Sequence, residues 1–421
     1  MKRRGLTNSA VTLIVTLVAS LLLAACGATA TPTAAPTTAA PATTAPAATT
    51  AATNATTAAP VATTAAPASS LSGEISIGAV WSLTGAAAIY GPSQKNGSEL
   101  AVEEINKSGI LGNAKIKLVS EDDRSVKEGA ISAFEKLINQ DKVVAILGPT
   151  LTNSALAADP IAQEKKVVVQ GVSNTGAGVV EIGNFIFRNS LPEASVIPNT
   201  IKVTKEKLSY KKVSIMYGDD DAFTKAGYDV FKSSLEKESI QIVGTETFKK
   251  GDTDFSAQLT KIKGQNPDAI IVSALAEEAA GIMSQGRQLG IPNTVKFIGG
   301  NGFNSPQLAK LAGPAAEDAI SGAAWFISAE NTANQNFVKA YNAKYNANPD
   351  QFAAQAYAGV YILATAIKNA GKADSASIRD AMAKLKDVDT VLGKFSFNES
   401  RNPVHTPIVQ IVKNGKFELY K

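Results

Sequence analysis

The sequence predicts an α/β fold: two doubly wound parallel-sheet lobes, joined by several crossing strands, with a cleft between them. Three observations carry this expectation. From residue 74 onward, short apolar runs alternate with amphipathic helical segments, the pattern of right-handed βαβ units. Residues 142–178 and 268–303 repeat one rhythm of strand, small-residue loop, helix, turn, strand and polar loop. After residue 321 the order changes to consecutive helices and closing strands, so the chain leaves one lobe and returns to it more than once.

The elements follow in order. Residues 75–80 alternate as a strand, 81–90 form a loop of small residues, and 91–107 place Gly97, Leu100, Ala101 and Ile105 on one helical face. Residues 115–121 read as a strand and 125–140 as a helix that buries Ala130, Phe134, Leu137 and Ile138. The apolar run 143–147 is a strand stopped by Gly148-Pro149. Thr150, Thr152, Asn153 and Ser154 then open an Ala-rich helix, which Pro160 is expected to kink or shorten. A helix start of this composition presents unpaired backbone N–H groups and suits an anion such as a carboxylate. It also suits an ordinary turn with Thr152 or Asn153 as N-cap. A short strand at 167–169 leads into the polar loop 170–178.

The second half repeats the alternation. Strands are expected at 213–217, 240–248, 269–272 and 295–298, with helices at 222–237, around Phe255, Leu259 and Ile262, and at 277–289. Residues 324–327 read as a crossing strand, followed by helices at 334–345, 352–369 and 375–385. Strands at 391–397, 406–412 and 417–420 close the chain. Small ligands favour the carboxyl ends of parallel strands and the interface between lobes.

The N-terminus reads as an export signal, with basic Lys2, Arg3 and Arg4 before an apolar stretch at 11–23 that is too short and too polar to span a membrane comfortably. It ends in Leu-Ala-Ala-Cys26, a lipidation motif, and Cys26 is the only cysteine in the chain. Residues 27–73 are dominated by Ala, Thr and Pro and carry no charge, the composition of a disordered tether. The expected organisation is therefore 1–25 signal peptide, 26–73 lipidated Cys and tether, 74–192 plus 328–387 lobe 1, and 193–327 plus 388–421 lobe 2. The net charge is only +4, three units of it in Lys2–Arg4, which excludes an electrostatic case for nucleic acid.

Catalytic chemistry is poorly supplied. The single histidine, His405, sits in an Asn-Pro-Val-His-Thr-Pro loop, and no nucleophile elbow, phosphate loop or Cys/His metal spacing is present. The acidic runs 121–123 and 219–221 each follow a strand and precede a helix, where caps, dipole partners and lobe-closing hydrogen bonds explain them.

A set of ordered motifs then becomes informative: IGAVWSLTG at 77–85, Tyr90-Gly91, AVEEIN at 101–106, GILG at 109–112, EDD at 121–123, LGP at 147–149, GDTDF at 251–255 and NPD at 266–268. Together with the lipoprotein start, these resemble solute-binding proteins of ABC importers, of the leucine/isoleucine/valine-binding (branched-chain amino acid) family with the type I periplasmic-binding fold. The resemblance covers residues 73–421. It implies a ligand carboxylate held by Thr152, with Thr150 and Leu151 beside it, and completed by Val172, Ser173 and Asn174. It places Tyr90 and Phe352 at the mouth, and Phe223 and Leu275 across the cleft. Asn301 departs from the family, whose amino-acid binders often carry an acid there to pair with the ligand ammonium. Either Glu277, Glu278 or an acid of 219–221 substitutes, or the ligand is not a simple α-amino acid. No cofactor and no metal are implied. The implied protein is not an enzyme but a monomeric receptor, anchored outside the cytoplasmic membrane through Cys26, that hands an amino acid or related carboxylate or amide to an ABC permease and its ATPase. A ligand sensor with the same fold, feeding a signalling partner, is the alternative.

Overall fold

The computed structural model describes residues 71–421. The expected signal segment, Cys26 and the tether up to residue 70 lie outside the described residues. The first lobe runs β1 (Ser72–Trp81), α1 (Gly91–Ser108), β2 (Asn113–Asp122), α2 (Lys127–Asn139), β3 (Ala145–Leu147), α3 (Thr152–Lys165), β4 (Val168–Gly171) and β5 (Ile186–Arg188). The chain crosses into α4 (Glu193–Leu208), β6 (Lys212–Gly218), α5 (Ala222–Lys237), β7 (Gln241–Phe248), α6 (Ser256–Gln265), β8 (Ala269–Ser273), α7 (Ala276–Gln288), β9 (Lys296–Gly299), α8 (Pro306–Ala312) and β10 (Ile320–Ala323). It returns for α9 (Thr332–Tyr345), α10 (Gln351–Ala370), α11 (Ser375–Met382) and the hairpin β11 (Val388–Thr390) with β12 (Gly393–Phe395). A last crossing leads to β13 (Ile408–Lys413) and β14 (Lys416–Leu419).

The first sheet has the order β2-β1-β3-β4-β5 and is parallel throughout. The second has the order β14-β13-β10-β9-β8-β6-β7, parallel from β7 to β10 and closed by antiparallel β13 and β14. Each order reverses once, between β1 and β3 and between β6 and β8, and these reversals open crevices at the strands' carboxyl ends. The two repeats expected from the sequence are β3-α3-β4 and β8-α7-β9, one at each reversal.

Helices cover both faces of both sheets, as parallel strands buried on two sides require. In lobe 1, α10 and its neighbours pack Val360, Leu363 and Ile367 against Ile77, Leu147 and Val168, while Phe134, Leu137 and Ala158 cover the other face. In lobe 2, Ile197, Ile201 and Phe231 lie on one face and Leu259, Ile282 and Met283 on the other. Helix α10 is capped by Asp350, which accepts the Ala353 N–H, and ends at Gly371 with φ 62°. It is buried almost all round, yet no helix among the described residues is long and apolar enough to cross a membrane.

Four details depart from the sequence expectations. The lobes are joined by irregular segments, not crossing strands: residues 189–192, 324–331 and 398–407 have no strand assignment, and the strand expected at 324–327 lies earlier, as β10. The final crossing comes after residue 397 and not at 388, because Val391, Phe395 and Phe397 pack into the lobe 1 core. Pro160 does not shorten α3, which runs on to Lys165. Helix α4, interrupted in sequence by Pro198, was not anticipated at all.

Candidate functional site

A cavity of about 30 Å³ lies between the lobes at the two crevices. Lobe 1 contributes Tyr90 after β1, Thr150, Leu151 and Thr152 after β3, Ser173 and Thr175 after β4, and Phe352 at the start of α10. Lobe 2 contributes Phe223 after β6, Leu275 after β8, and Asn301 and Gly302 after β9. Nine of the eleven residues singled out in the sequence therefore meet here: Tyr90, Thr150, Leu151, Thr152, Ser173, Phe223, Leu275, Asn301 and Phe352.

The two others are placed differently. Val172 turns away into the lobe 1 core, where its side chain meets the backbone of α10 at Gly359. Asn174 is a brace: its amide donates to the Pro149 carbonyl (3.0 Å), and its own carbonyl accepts from Arg188 and Ser190. Alternation along this loop faces Ser173 and Thr175 to the cavity and withdraws the residues beside them.

The loop that begins the site is rigidly defined. Gly148 has φ 96°, and a Cβ there would come within 2.3 Å of the Val80 carbonyl oxygen, so only glycine lets β3 turn against β1. Helix α3 then starts at Thr152, with Leu151 as N-cap and no side chain capping it. Neither Thr152 nor Asn153 is the cap. The Thr152 hydroxyl accepts the Gly176 N–H (3.1 Å), which leaves its own proton to donate. An uncapped helix start with a free hydroxyl proton is an anion-binding arrangement.

The other hydroxyls are spent within lobe 1. Thr150 accepts the Ser82 N–H (2.9 Å) and donates to Gln94 Oε1 (2.7 Å). Ser173 accepts from Gln94 Nε2 and donates to the Thr150 carbonyl, both at 2.7 Å. Gln94, fully buried on α1, therefore fixes both loops, and a lone glutamine inside a helix gave no sequence signal of this.

The lobes are tied together across the cavity. The Tyr90 hydroxyl donates to the Gly302 carbonyl (3.0 Å) and accepts the Ala276 N–H (2.7 Å) at the start of α7. Its ring lies 4.5 Å from that of Phe352, and both rings join Leu151, Phe223 and Leu275 in one hydrophobic cluster spanning the lobes. Burial raises the Tyr90 hydroxyl well above its ordinary pKa, which keeps it a donor. Asn153 donates to Asp221 Oδ2 (2.8 Å) and accepts the Ala222 N–H (3.0 Å). Gln351 donates to Asn301 Oδ1 (3.3 Å), and Lys250 reaches the Ser125 carbonyl (3.2 Å).

The acids expected to replace a missing charge at Asn301 lie away from the cavity. Asp221 caps α5 through the Phe223 and Thr224 N–H groups, Glu278 accepts the Gly251 N–H, and Glu277 is exposed. None of them lines the cavity. The acid that touches its wall is Glu193, in the first turn of α4. Its Oε1 accepts the Asn301 N–H (3.0 Å) and the Thr175 hydroxyl (3.4 Å), while Oε2 is buried without a partner. A Cβ on Gly300 would come within 2.5 Å of Oε2, so the carboxyl is seated directly on that glycine. Burial pushes Glu193 up to about 7 against the opposing Asn301 and Thr175 hydrogen bonds and the Arg188 charge. In sequence it is indistinguishable from any acid placed early in a helix to complement the dipole.

His405 lies on the final crossing, as its loop context suggests, with Nε2 unpaired. Among the described residues no group of three or more His, Cys, Asp or Glu is arranged to hold a metal ion.

Comparison with known proteins extends this geometry. Residues 74–416 match the family model described as periplasmic binding protein. A branched-chain amino acid transporter substrate-binding protein from Streptococcus pneumoniae, solved in complex with isoleucine, superposes with a TM-score of 0.78 at 33% identity, over 82% of this chain and 98% of that one. A solute-binding protein of an ABC transporter from Rhodopseudomonas palustris, in complex with 3,4-dihydroxybenzoic acid, gives 0.75 at 25% identity, over 82% and 95%. The Leu/Ile/Val-binding protein homolog 3 of Brucella melitensis is 27% identical over 338 residues, 79% of this chain and 89% of its own.

Proposed function

Because the chain belongs to the periplasmic binding protein family, we propose that it is an extracytoplasmic receptor that closes two lobes on a small carboxylate-bearing solute and delivers it to an ABC importer. Its relatives are solute-binding proteins of such transporters and not enzymes. The observation that carries the reading is the uncapped start of α3, set in a cavity made by both lobes with the Thr152 proton free to donate. A carboxylate placed there would take the helix N–H groups and the Thr152 hydroxyl, and the apolar walls of Leu151, Phe223, Leu275 and Phe352 would receive an aliphatic or aromatic body.

Closure follows from the cross-lobe contacts. Tyr90 and Asn153 find their lobe 2 partners only when the lobes meet, so a ligand touching both lobes shifts the equilibrium toward the closed form. With Cys26 lipidated, the tether would hold this monomeric receptor at the outer face of the membrane, within reach of permease and ATPase partners.

Thermal melting of the purified protein with a panel of amino acids, amides and small aromatic acids tests the reading. A true ligand at about 100 times its Kd adds about 2.7 kcal/mol of stability. No shift across the panel refutes it.

A further inference from the structure

Beside Thr152, whose hydroxyl takes the Gly176 N–H (3.1 Å), the neighbouring Thr175 also lines the cavity. The Thr175 hydroxyl proton goes to Glu193 Oε1 (3.4 Å), so what Thr175 offers the cavity is its lone pairs. The Asn301 amide is partly committed: one Nδ2 proton goes to the Leu191 carbonyl (3.1 Å) and Oδ1 accepts from Gln351. Thr175 therefore accepts hydrogen bonds from a ligand, and with a carboxyl behind it this part of the site does not suit a second carboxylate. The negative charge behind it is Glu193, whose Oε2 is buried and unpaired. An unpaired buried oxygen is costly unless a donor completes it.

We propose that Glu193, acting through the Thr175 hydroxyl that it orients, is the counter-charge for the ammonium end of an amino-acid ligand, taking the place of an acid at position 301. Glu193 is thus a specificity-determining residue that favours amino acids over simple carboxylic acids. The inference rests on the solute-receptor reading above.

The surrounding charges are few. Arg188, on β5, faces Glu193 but spends its guanidinium on the Asn174 and Gly176 carbonyls and on Asn402. Glu181, on the lobe 1 side, and Lys225 and Asp229, from α5, border the neighbouring groove of about 560 Å³, which Glu193 also lines. An ammonium arriving at Thr175 favours ionised Glu193, so near neutral pH binding releases a proton.

Titration calorimetry of L-isoleucine and 3,4-dihydroxybenzoate, with wild type, Glu193→Gln and Thr175→Val at pH 5.5 and 8.5, tests this. Isoleucine should bind wild type about 30-fold more tightly at the higher pH, following the ionised fraction of a group that titrates near 7. Proton release should appear when two buffers of different ionisation enthalpy are compared. Glu193→Gln should lose the pH dependence and bind isoleucine at least about tenfold more weakly at pH 8.5, while dihydroxybenzoate changes by less than about threefold. Thr175→Val, which keeps the acid but removes the hydroxyl, should weaken isoleucine in the same selective way. Unchanged isoleucine affinity and pH slope in Glu193→Gln overturn the assignment. So does an equal loss for both probes, which would make Glu193 a prop for the cavity's shape. Binding of dihydroxybenzoate without isoleucine also overturns it but leaves the receptor reading standing. Binding of neither probe by wild type refutes the probe class in that reading, and this inference with it.

Discussion

Replacing Tyr90 by phenylalanine isolates the cost of holding the lobes together. The hydroxyl donates to the Gly302 carbonyl and accepts from the Ala276 N–H, two contacts that exist only in the closed form. The ring, its 4.5 Å approach to Phe352 and its place in the hydrophobic cluster are retained. When the lobes part, both backbone groups reach water; when they close around phenylalanine, both are buried unpaired. A net hydrogen bond contributes about 0.5–1.5 kcal/mol, and an orphaned buried group costs about 1–3 kcal/mol. Closure should thus lose about 2–3 kcal/mol, which weakens a ligand bound by closure about 30- to 150-fold. Because the damage is to the closed state, the loss should fall on dissociation, with association little changed. Stopped-flow and calorimetric titration with whichever panel ligand raises the melting temperature most measure both. A Kd within about threefold of wild type would show that these contacts do not close the receptor and would refute the argument.

Other expectations can be checked alongside. Thr152→Ala removes the donor at the α3 start and should weaken a carboxylate ligand by about 1–3 kcal/mol; it also orphans the buried Gly176 N–H, so the ligand-free protein should lose about 1–3 kcal/mol of stability in thermal melts. Phe134→Ala, at a fully buried position of the lobe 1 core, should cost about 3–5 kcal/mol in urea unfolding. Glu193 also makes a pH prediction for the ligand-free protein. Its carboxyl titrates near 7 when folded against 4.5 ordinarily, so the native state binds the proton more tightly and stability falls as pH rises through that window. Glu193→Gln removes this loss; its stability advantage over wild type should grow between pH 4.5 and 7, by up to about 3 kcal/mol, and then level off. Paired thermal melts across that range would measure it, and a pH-independent difference would contradict the shift.

Much of the fold was legible because its signals are local. The β3 and β8 runs are apolar and short, each is followed by small residues and a helix, and parallel strands buried on both faces have no other pattern available. Helix α4 escaped notice because Pro198 argues against a helix, although Val196, Ile197, Thr200, Ile201 and Thr204 keep helical spacing around it. The crossing at 324–331 reads as a strand because its Ala324-Trp325-Phe326-Ile327 run is as apolar as a buried strand, although the backbone there bends and turns. At the site, residues that follow strand ends were found, for position along the chain decides that placement. Gln94 and Glu193 were not, because their roles depend on loops that lie 56 and 108 positions away in sequence. The same limit explains Val172 and Asn174: the loop was located, but which residues faced inward needed the backbone.

Asn153 carries one more consequence. Its side chain completes the amino end of α5, a helix of the opposite lobe, by accepting the Ala222 N–H. That proton is shielded when the halves are together and exposed to solvent when they are apart. The amide of Ala222 is therefore a built-in clock: its hydrogen-exchange rate, followed without any label or bound solute, counts how often the receptor opens.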